Sequence, residues 1–183
     1  VYNEIELPIM SVIKDIEKEG IAVDTKMLEK LSKRYHEELE DLRSSIYEHA
    51  GMEFNINSPK QLSEALFEKM ELPTKGIKKT ASGGYSTRAD QLEKLEEAHD
   101  VIPVLLRYRE LQKVLSTYID ALPGFVGDDG RIHAEFDQSG TTTGRFSSNN
   151  PNMQNIPASD ILGKEIRKAF VASEGYYFVS YDY

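Results

Sequence analysis

The sequence has 183 residues, 39% of them hydrophobic, enough to bury one ordinary core or two small ones, and nothing in it points to overall disorder. It contains no cysteine, which excludes disulfides and thiolate metal sites, and its four histidines, His36, His49, His99 and His133, lack ligand spacing. No stretch approaches the roughly 18 apolar residues of a bilayer span, and the opening VYNEIELPIM lacks the basic and apolar regions of a secretory signal, so the expectation is a soluble, intracellular protein with no membrane partner.

A formal charge of -9 taken alone argues against a polyanion partner, because phosphate binding is driven by local positive charge and counterion release. The charge is unevenly spread. Residues 1–50 hold 7 basic and 12 acidic side chains, whereas residues 57–88 hold 6 basic (Lys60, Lys69, Lys75, Lys78, Lys79, Arg88) and 3 acidic ones. Charge by itself favours a solvated lysine-rich loop over a phosphate contact there.

In chain order, Ile5, Ile9, Val12, Ile13 and Ile16 share one face of a helix predicted over Glu4–Glu19, which Gly20 ends. Gly20 to Val23 reads as extended. Asp24 is the predicted N-cap of a long helix to Ala50, stopped by Gly51, with Leu28, Leu31, Tyr35, Leu39, Leu42 and Ile46 in one stripe. A second long helix carries Val101, Val104, Leu105, Tyr108, Leu111 and Leu115, which predicts an antiparallel helical hairpin.

Between those helices, Ser58, Pro59 and Gln61 form a strong helix-start signal. Lys75 to Gly84 reads as a flexible loop, and Ser86 or Thr87 as the cap of a helix toward Ala98. After Asp120 the pattern turns from helical to extended, placing a boundary near Pro123 to Gly127. Gly127 to Gly130 is a predicted turn; Arg131–Asp137, Lys168–Ala172 and Tyr176–Asp182 are predicted strands, with a short helix near Gly163–Arg167. A polar stretch of about thirty residues rich in Gly, Ser, Thr and Asn separates the first two strands, and a loop that long and polar in a compact unit usually has a job, such as holding a ligand.

Three segments carry a family resemblance. They are FNINSPKQL with GGYSTRADQLEKL; YRELQKVLSTYIDAL; and GRIHAEFDQSGTTTGRFSSNNPNMQNIP, running on through IRKAFVASEGYYFVSYDY. Their order and spacing resemble those of family A, DNA polymerase I-like enzymes, along essentially the whole chain, and TGRxSS followed by PNxQNIP is the most specific part. The resemblance implies an α+β fold: a helical thumb over residues 1–123, made of the long antiparallel hairpin with a small helical tip, then the N-terminal part of an antiparallel β palm over 124–183.

Each segment has its own chemistry. Asn55, Asn57 and Ser58 precede a helix whose first N–H groups lack partners, so a phosphate can sit there beside Lys60, and Ser86 with Thr87 forms a second such place. Plain capping is the competing reading, and only the resemblance tips the balance toward a thumb gripping primer-template DNA. Arg109, Lys113, Ser116 and Thr117 fall roughly on one helix face and in the family contact the DNA backbone. Arg145, Asn152, Gln154 and Asn155 bring fork and amide donors suited to the minor-groove acceptors shared by all correct base pairs. Two departures reduce the expected phosphate contacts: Leu115 and Ser159 stand where relatives often place polar or basic residues.

The apolar strand Tyr176–Tyr181 runs into Asp182, a costly position for a carboxylate unless it is solvated, paired or metal-bound. The resemblance makes Asp182 the first of two catalytic aspartates holding a Mg2+ pair, with the Tyr183 backbone carbonyl as a further ligand. Deoxynucleoside triphosphates would then be substrates of the complete enzyme, its fingers and remaining palm coming from further sequence or from a second chain. Alone, this chain is expected to be inactive, since Mg2+ usually needs more than one anionic ligand. Two alternatives remain open: a non-catalytic nucleic-acid binding module, and a helical-hairpin interaction protein.

Overall fold

The computed structural model describes residues 1–158 and 161–181. A π-type turn (Tyr2–Glu6) leads into α1 (Leu7–Glu19), followed by β1 (Ile21–Val23), α2 (Thr25–Ala50) and α3 (Pro59–Glu64), which ends in a π-type turn at Ala65–Lys69. Then come α4 (Ala89–Leu92) with a 3-10 turn at Glu93–Leu95, α5 (Val101–Val114) with a π-type turn at Leu115–Ile119, and a 3-10 turn at Leu122–Phe125. β2 (Arg131–Ile132), β3 (Glu135–Asp137), β4 (Ser147–Asn149), α6 (Ile161–Arg167) and β5 (Phe170–Val171) complete the order, an α+β protein as the sequence implied.

The chain forms two compact units, residues 1–33 with 114–183 and residues 34–113. The composition change at Pro123 to Gly127 therefore falls inside the first unit.

In the first unit, β1 is the centre of a three-stranded antiparallel sheet in the order β2-β1-β5, with Ala22 opposite Arg131 on one side and Val171 on the other. β3 and β4 form a separate antiparallel pair, Phe136 opposite Ser148. The predicted strand Arg131–Asp137 is thus broken in two. Its break follows from ties to α1 and to the preceding turn: His133 Nδ1 faces the Glu17 carbonyl of α1 at 2.8 Å and its Nε2 faces Asp129 Oδ2 of the turn at 3.0 Å, and the Phe136 N–H donates to Glu17 Oε1 at 2.8 Å. Arg131 continues the fastening, donating to the Glu19 carbonyl and carboxylate, the Gly20 carbonyl and Ser173 Oγ. Gly20 is required at this close approach: its φ is +61°, and a Cβ would meet the Ile132 carbonyl oxygen at 2.6 Å.

Two other expectations for this unit fail. The apolar face of the first helix is not a core face throughout: Ile13 is buried, but Ile5, Val12 and Ile16 are all more than half exposed. Tyr176–Tyr181 forms no strand, because none of its described residues has a ladder partner, and its aromatic side chains are exposed. Tyr176, Tyr177 and Phe178 flank an apolar groove of about 610 Å³ with Ile21, Ile132 and Val171. The strand predicted over Lys168–Ala172 is present in shortened form as β5.

In the second unit the helices run antiparallel, as the matched stripes require. Glu38 of α2 receives Arg107 Nε of α5 at 2.8 Å, and farther along α2 the His49 ring packs edge-on against His99, 5.7 Å between centroids. Tyr35, Leu39 and Ile46 are buried on α2, and Ile102, Leu105, Tyr108 and Leu111 on α5. The start of α3 is as read: Ser58 Oγ accepts from the Gln61 N–H, Pro59 takes the first helical turn, and the Gln61 side chain reaches back to the Asn55 N–H at 2.8 Å.

The cap expected at Ser86 or Thr87 is a correction. Arg88 is the N-cap of α4, without a side-chain cap, and α4 is a single turn. Ser86 and Thr87 are instead only 7% and 6% exposed, and Ser86 Oγ accepts from the Arg88 N–H just outside the helix. Likewise the Lys75–Gly84 segment holds a hydrogen-bonded turn, with the Thr80 N–H and Oγ1 both on the Gly84 carbonyl and a bridge between Lys79 and Tyr85.

Candidate nucleic-acid interface

In the second unit, Asn55, Asn57 and Lys60 are exposed and Ser58 is half-buried at the start of α3. Asn55 Oδ1 accepts from the Asn57 N–H at 3.0 Å, and Asn57 Nδ2 lies 3.4 Å from the Tyr108 hydroxyl. Burial raises the Tyr108 pKa, against the lowering effect of that Asn57 bond. The asparagines therefore shape the turn as well as line it. Lys60 extends to within 3.9 Å of Glu64, a solvent-screened pair.

The basic segment is organised around one buried amide. Gln91, 2% exposed, accepts at Oε1 from the Lys78 N–H at 3.1 Å and from Lys94 Nζ at 3.0 Å, while its Nε2 donates to Asp90 Oδ2 at 2.7 Å. That last bond is the main cause lowering the Asp90 pKa. The Ser86 N–H donates to the Lys78 carbonyl at 2.8 Å, so Lys78, Lys79 and Arg88 are carried on a braced loop with their side chains in solvent. In the sequence Gln91 stands out only as part of a motif; its burial next to Leu92 is what marks it.

Arg109 does not stand free on the helix surface. Half-buried, it donates from Nη1 to the Thr87 carbonyl and lies 3.4 Å from Thr87 Oγ1 through Nη2, and burial lowers its pKa from the ordinary guanidinium value. Lys113, four residues on, is exposed.

In the first unit, Ser116 and Thr117 are exposed on the π-type turn, and Leu115 beside them is fully buried. The polar loop is folded upon its own backbone. Ser139 donates twice to Asp137 Oδ1, which lowers that carboxyl's pKa; Thr141 Oγ1 donates to the Arg145 carbonyl at 2.7 Å; and buried Ser148 donates to the Pro151 carbonyl while accepting from the Met153 N–H. Asn152 Oδ1 accepts from the Gln154 N–H at 3.1 Å. Arg145, Asn152, Gln154 and Asn155 are all left exposed, on a backbone that is held in place.

Two residues that sequence patterning does not single out do the holding. The Tyr118 hydroxyl donates to the Asn155 carbonyl, with burial raising its pKa, and Arg167 forks onto the Pro157 and Ile156 carbonyls at 2.9 and 3.0 Å. Tyr118 falls in phase with the buried positions Leu111, Val114 and Leu115, and an aromatic with a polar tip at such a position is the available signal.

Asp182, Tyr183 and Ser159 lie outside the described residues. Among the described residues no three His, Asp or Glu side chains converge as a metal site, so those residues by themselves do not fit a Mg2+ pair. Nor is any described helix long and apolar enough to cross a membrane.

Comparison with known proteins places this geometry in context. The family model described as DNA polymerase family A matches residues 25–183. DNA polymerase I of Chloroflexus aurantiacus is 45% identical, aligned over 100% of this chain and 20% of that protein. The thermostable DNA polymerase I of Thermus aquaticus is 44% identical over 100% of this chain and 22% of its own length. Among solved structures, the POL domain of Pol1 from M. smegmatis, in complex with DNA primer-template and dNTP, superposes with a TM-score of 0.88 at 41% identity, over 95% of this chain and 30% of that one. The chain thus spans about a fifth of the length of these curated relatives.

Proposed function

The chain belongs to DNA polymerase family A, and from that membership we propose that it is the primer-template-gripping portion of a DNA-directed DNA polymerase, with residues 1–123 as thumb and 124–183 as the N-terminal part of the palm. One observation carries the reading: exposed fork and amide donors, Arg145, Asn152, Gln154 and Asn155, on a loop whose backbone is tied down by Thr141 at Arg145, by Ser148 at Pro151 and by Tyr118 and Arg167 at Asn155, Ile156 and Pro157. Donors held in this way suit the purine N3 and pyrimidine O2 acceptors, which do not distinguish sequence, and so check pair shape alone. The neighbouring M. smegmatis structure, which holds primer-template and dNTP, supports DNA and nucleotide as partners.

Lys60, Lys78, Lys79, Arg88 and Lys113 supply the local positive charge for duplex phosphate within an acidic chain, and Asn55, Asn57, Ser58, Ser116 and Thr117 supply neutral donors. Asp182 would supply one carboxylate, and Tyr183 a backbone carbonyl, toward holding a Mg2+ pair in the complete enzyme, and the chemistry such a pair would supply is Lewis-acid activation of a hydroxyl and charge stabilisation on phosphate. Alone, the chain is expected to bind duplex and not to extend it. The setting would be the cytoplasm, at the nucleoid.

Primer extension tests this directly. In an enzyme where this chain continues into the remaining length of a relative, Asp182→Ala should reduce nucleotide incorporation to background while leaving primer-template affinity largely intact. Normal incorporation by that variant would overturn the catalytic assignment and favour the non-catalytic binding module. Absence of salt-dependent duplex binding by the unaltered chain would favour the interaction protein.

A further inference from the structure

Arg109 sits where a surface cation would be expected, yet its fork is spent inside the second unit. Nη1 donates to the Thr87 carbonyl and Nη2 lies 3.4 Å from Thr87 Oγ1, while Thr87 itself is 6% exposed. Thr87 lies between Ser86, whose N–H is fixed to the Lys78 carbonyl at 2.8 Å, and Arg88, whose side chain is 85% exposed. On the other side of the loop, Gln91 holds the Lys78 N–H, and Lys94 bridges Gln91 Oε1 and the Gly76 carbonyl at 3.0 and 3.2 Å. The exposed cations Lys78, Lys79 and Arg88 are therefore each within one or two peptide units of an anchor, and Arg109 is the anchor that α5 supplies.

We propose that Arg109 is a positioning residue for duplex binding: it sets the Lys78–Arg88 loop through the Thr87 backbone, and the loop, not Arg109, meets phosphate. This rests on the reading that the chain grips duplex DNA. Geometry favours it over direct contact for a physical reason. A guanidinium already donating to a buried carbonyl would have to leave that acceptor unsatisfied in order to turn to a phosphate. A planar fork bonding one residue at two atoms also fixes that residue's orientation, which a lysine cannot do.

The experiment uses the 183-residue chain, a primer-template duplex followed by fluorescence anisotropy over a range of salt, and hydrogen exchange of residues 84–92 without DNA. Arg109→Lys keeps the charge and loses the fork; Arg109→Met loses both. Positioning predicts that both variants weaken duplex binding by a similar factor, about tenfold, and that exchange over 84–92 quickens before any DNA is added. It also predicts that Lys78→Gln costs less in the Arg109→Met background than in the unaltered chain, since the loop is already misplaced. Direct phosphate contact predicts the opposite pattern: Arg109→Lys keeps affinity, and Arg109→Met lowers the salt slope by about 0.9 with unchanged exchange. That pattern overturns the proposal, as does faster exchange with unaltered affinity and slope, which is the mark of a purely structural role. If Arg109→Met fails to fold, Arg109→Lys with the Lys78 cycle decides alone. Failure of the unaltered chain to bind duplex would remove the DNA reading and this inference with it, whereas normal binding with unaffected variants removes only the inference.

Discussion

Replacing Gly163 by alanine should reverse the usual sign of that substitution. In an ordinary helix interior Gly→Ala stabilises by about 1 kcal/mol, through backbone entropy. Gly163 is buried in the first turn of α6, where a Cβ would lie 2.3 Å from the Pro157 carbonyl oxygen and 2.5 Å from its carbon. Both are backbone atoms, so no side chain can swing aside. Ordinary contact begins at 3.4 Å, which requires the Pro157 backbone to retreat by about 1 Å. Pro157 is also one of the two carbonyls that Arg167 holds. Overpacking of this kind costs about 1–3 kcal/mol, and weakening a charge-assisted bond adds to it, so a net loss of about 2 kcal/mol is expected after the helix gain is subtracted. Urea unfolding of Gly163→Ala measures it, with Gly124→Ala as the control, because a Cβ there meets nothing within 4 Å and should change stability by no more than about 0.5 kcal/mol. Primer-template affinity should fall too, since the displaced segment carries Asn152, Gln154 and Asn155. A Gly163→Ala chain as stable as the Gly124→Ala control, or more so, would refute the packing argument.

Exchanging two cations for acids, Lys78→Glu with Lys79→Glu, should weaken duplex binding and flatten its salt dependence by about 0.9 in log–log slope for each phosphate no longer neutralised; an unchanged slope would count against the basic loop. Ser58→Ala should cost about 1 kcal/mol by removing the acceptor for the Gln61 N–H, read as a lower urea midpoint. His133→Gln should destabilise in a pH-dependent way. The bond to the Glu17 carbonyl, then that to Asp129, raises the His133 pKa above 6.5, so its contribution is full below that value and lost as pH rises through the folded value. Asp129, lowered below 3.8 chiefly by the bond from His133, contributes above the ordinary carboxylate range and loses its contribution on acidification. The stability gap between the unaltered chain and His133→Gln should therefore be widest at about pH 5–6 and narrow toward pH 8; a gap that is flat with pH would sink this account.

What the sequence made legible was local. Asp24 accepts from the Met27 N–H at 3.0 Å, Ser58 and Gln61 close the start of α3, and Gly51 ends α2 at a φ of +65°, each a device that works within a few residues of its own position. The hairpin stripes were legible for the same reason, a period carried along one helix. What failed depended on partners distant in sequence. No pattern in Arg131–Asp137 discloses that Glu17, more than a hundred residues earlier, will take the His133 ring and the Phe136 N–H and break the strand. An apolar, aromatic run such as Tyr176–Tyr181 signals suitability for a ladder, while a strand exists only where a neighbour completes the hydrogen bonds.

The same division explains why an acidic chain can present basic and polar groups to solvent. Sequence counts treat Arg88 and Arg109 alike, as two cations near a helix, yet one is 85% exposed while the other is turned inward onto Thr87. Charge that reaches solvent, not charge in the composition, is what a phosphate meets, and in the role proposed for Arg109 the interior arginine would serve that purpose by fixing where the exterior one stands. Asn152, Gln154 and Asn155 follow the same logic with neutral groups. Their donors point outward at little cost because Tyr118, Ser148 and Arg167 have already satisfied the carbonyls beneath them. On the proposed duplex-binding reading the surface is thus built in two layers, and the motifs contain both without showing which residue belongs to which.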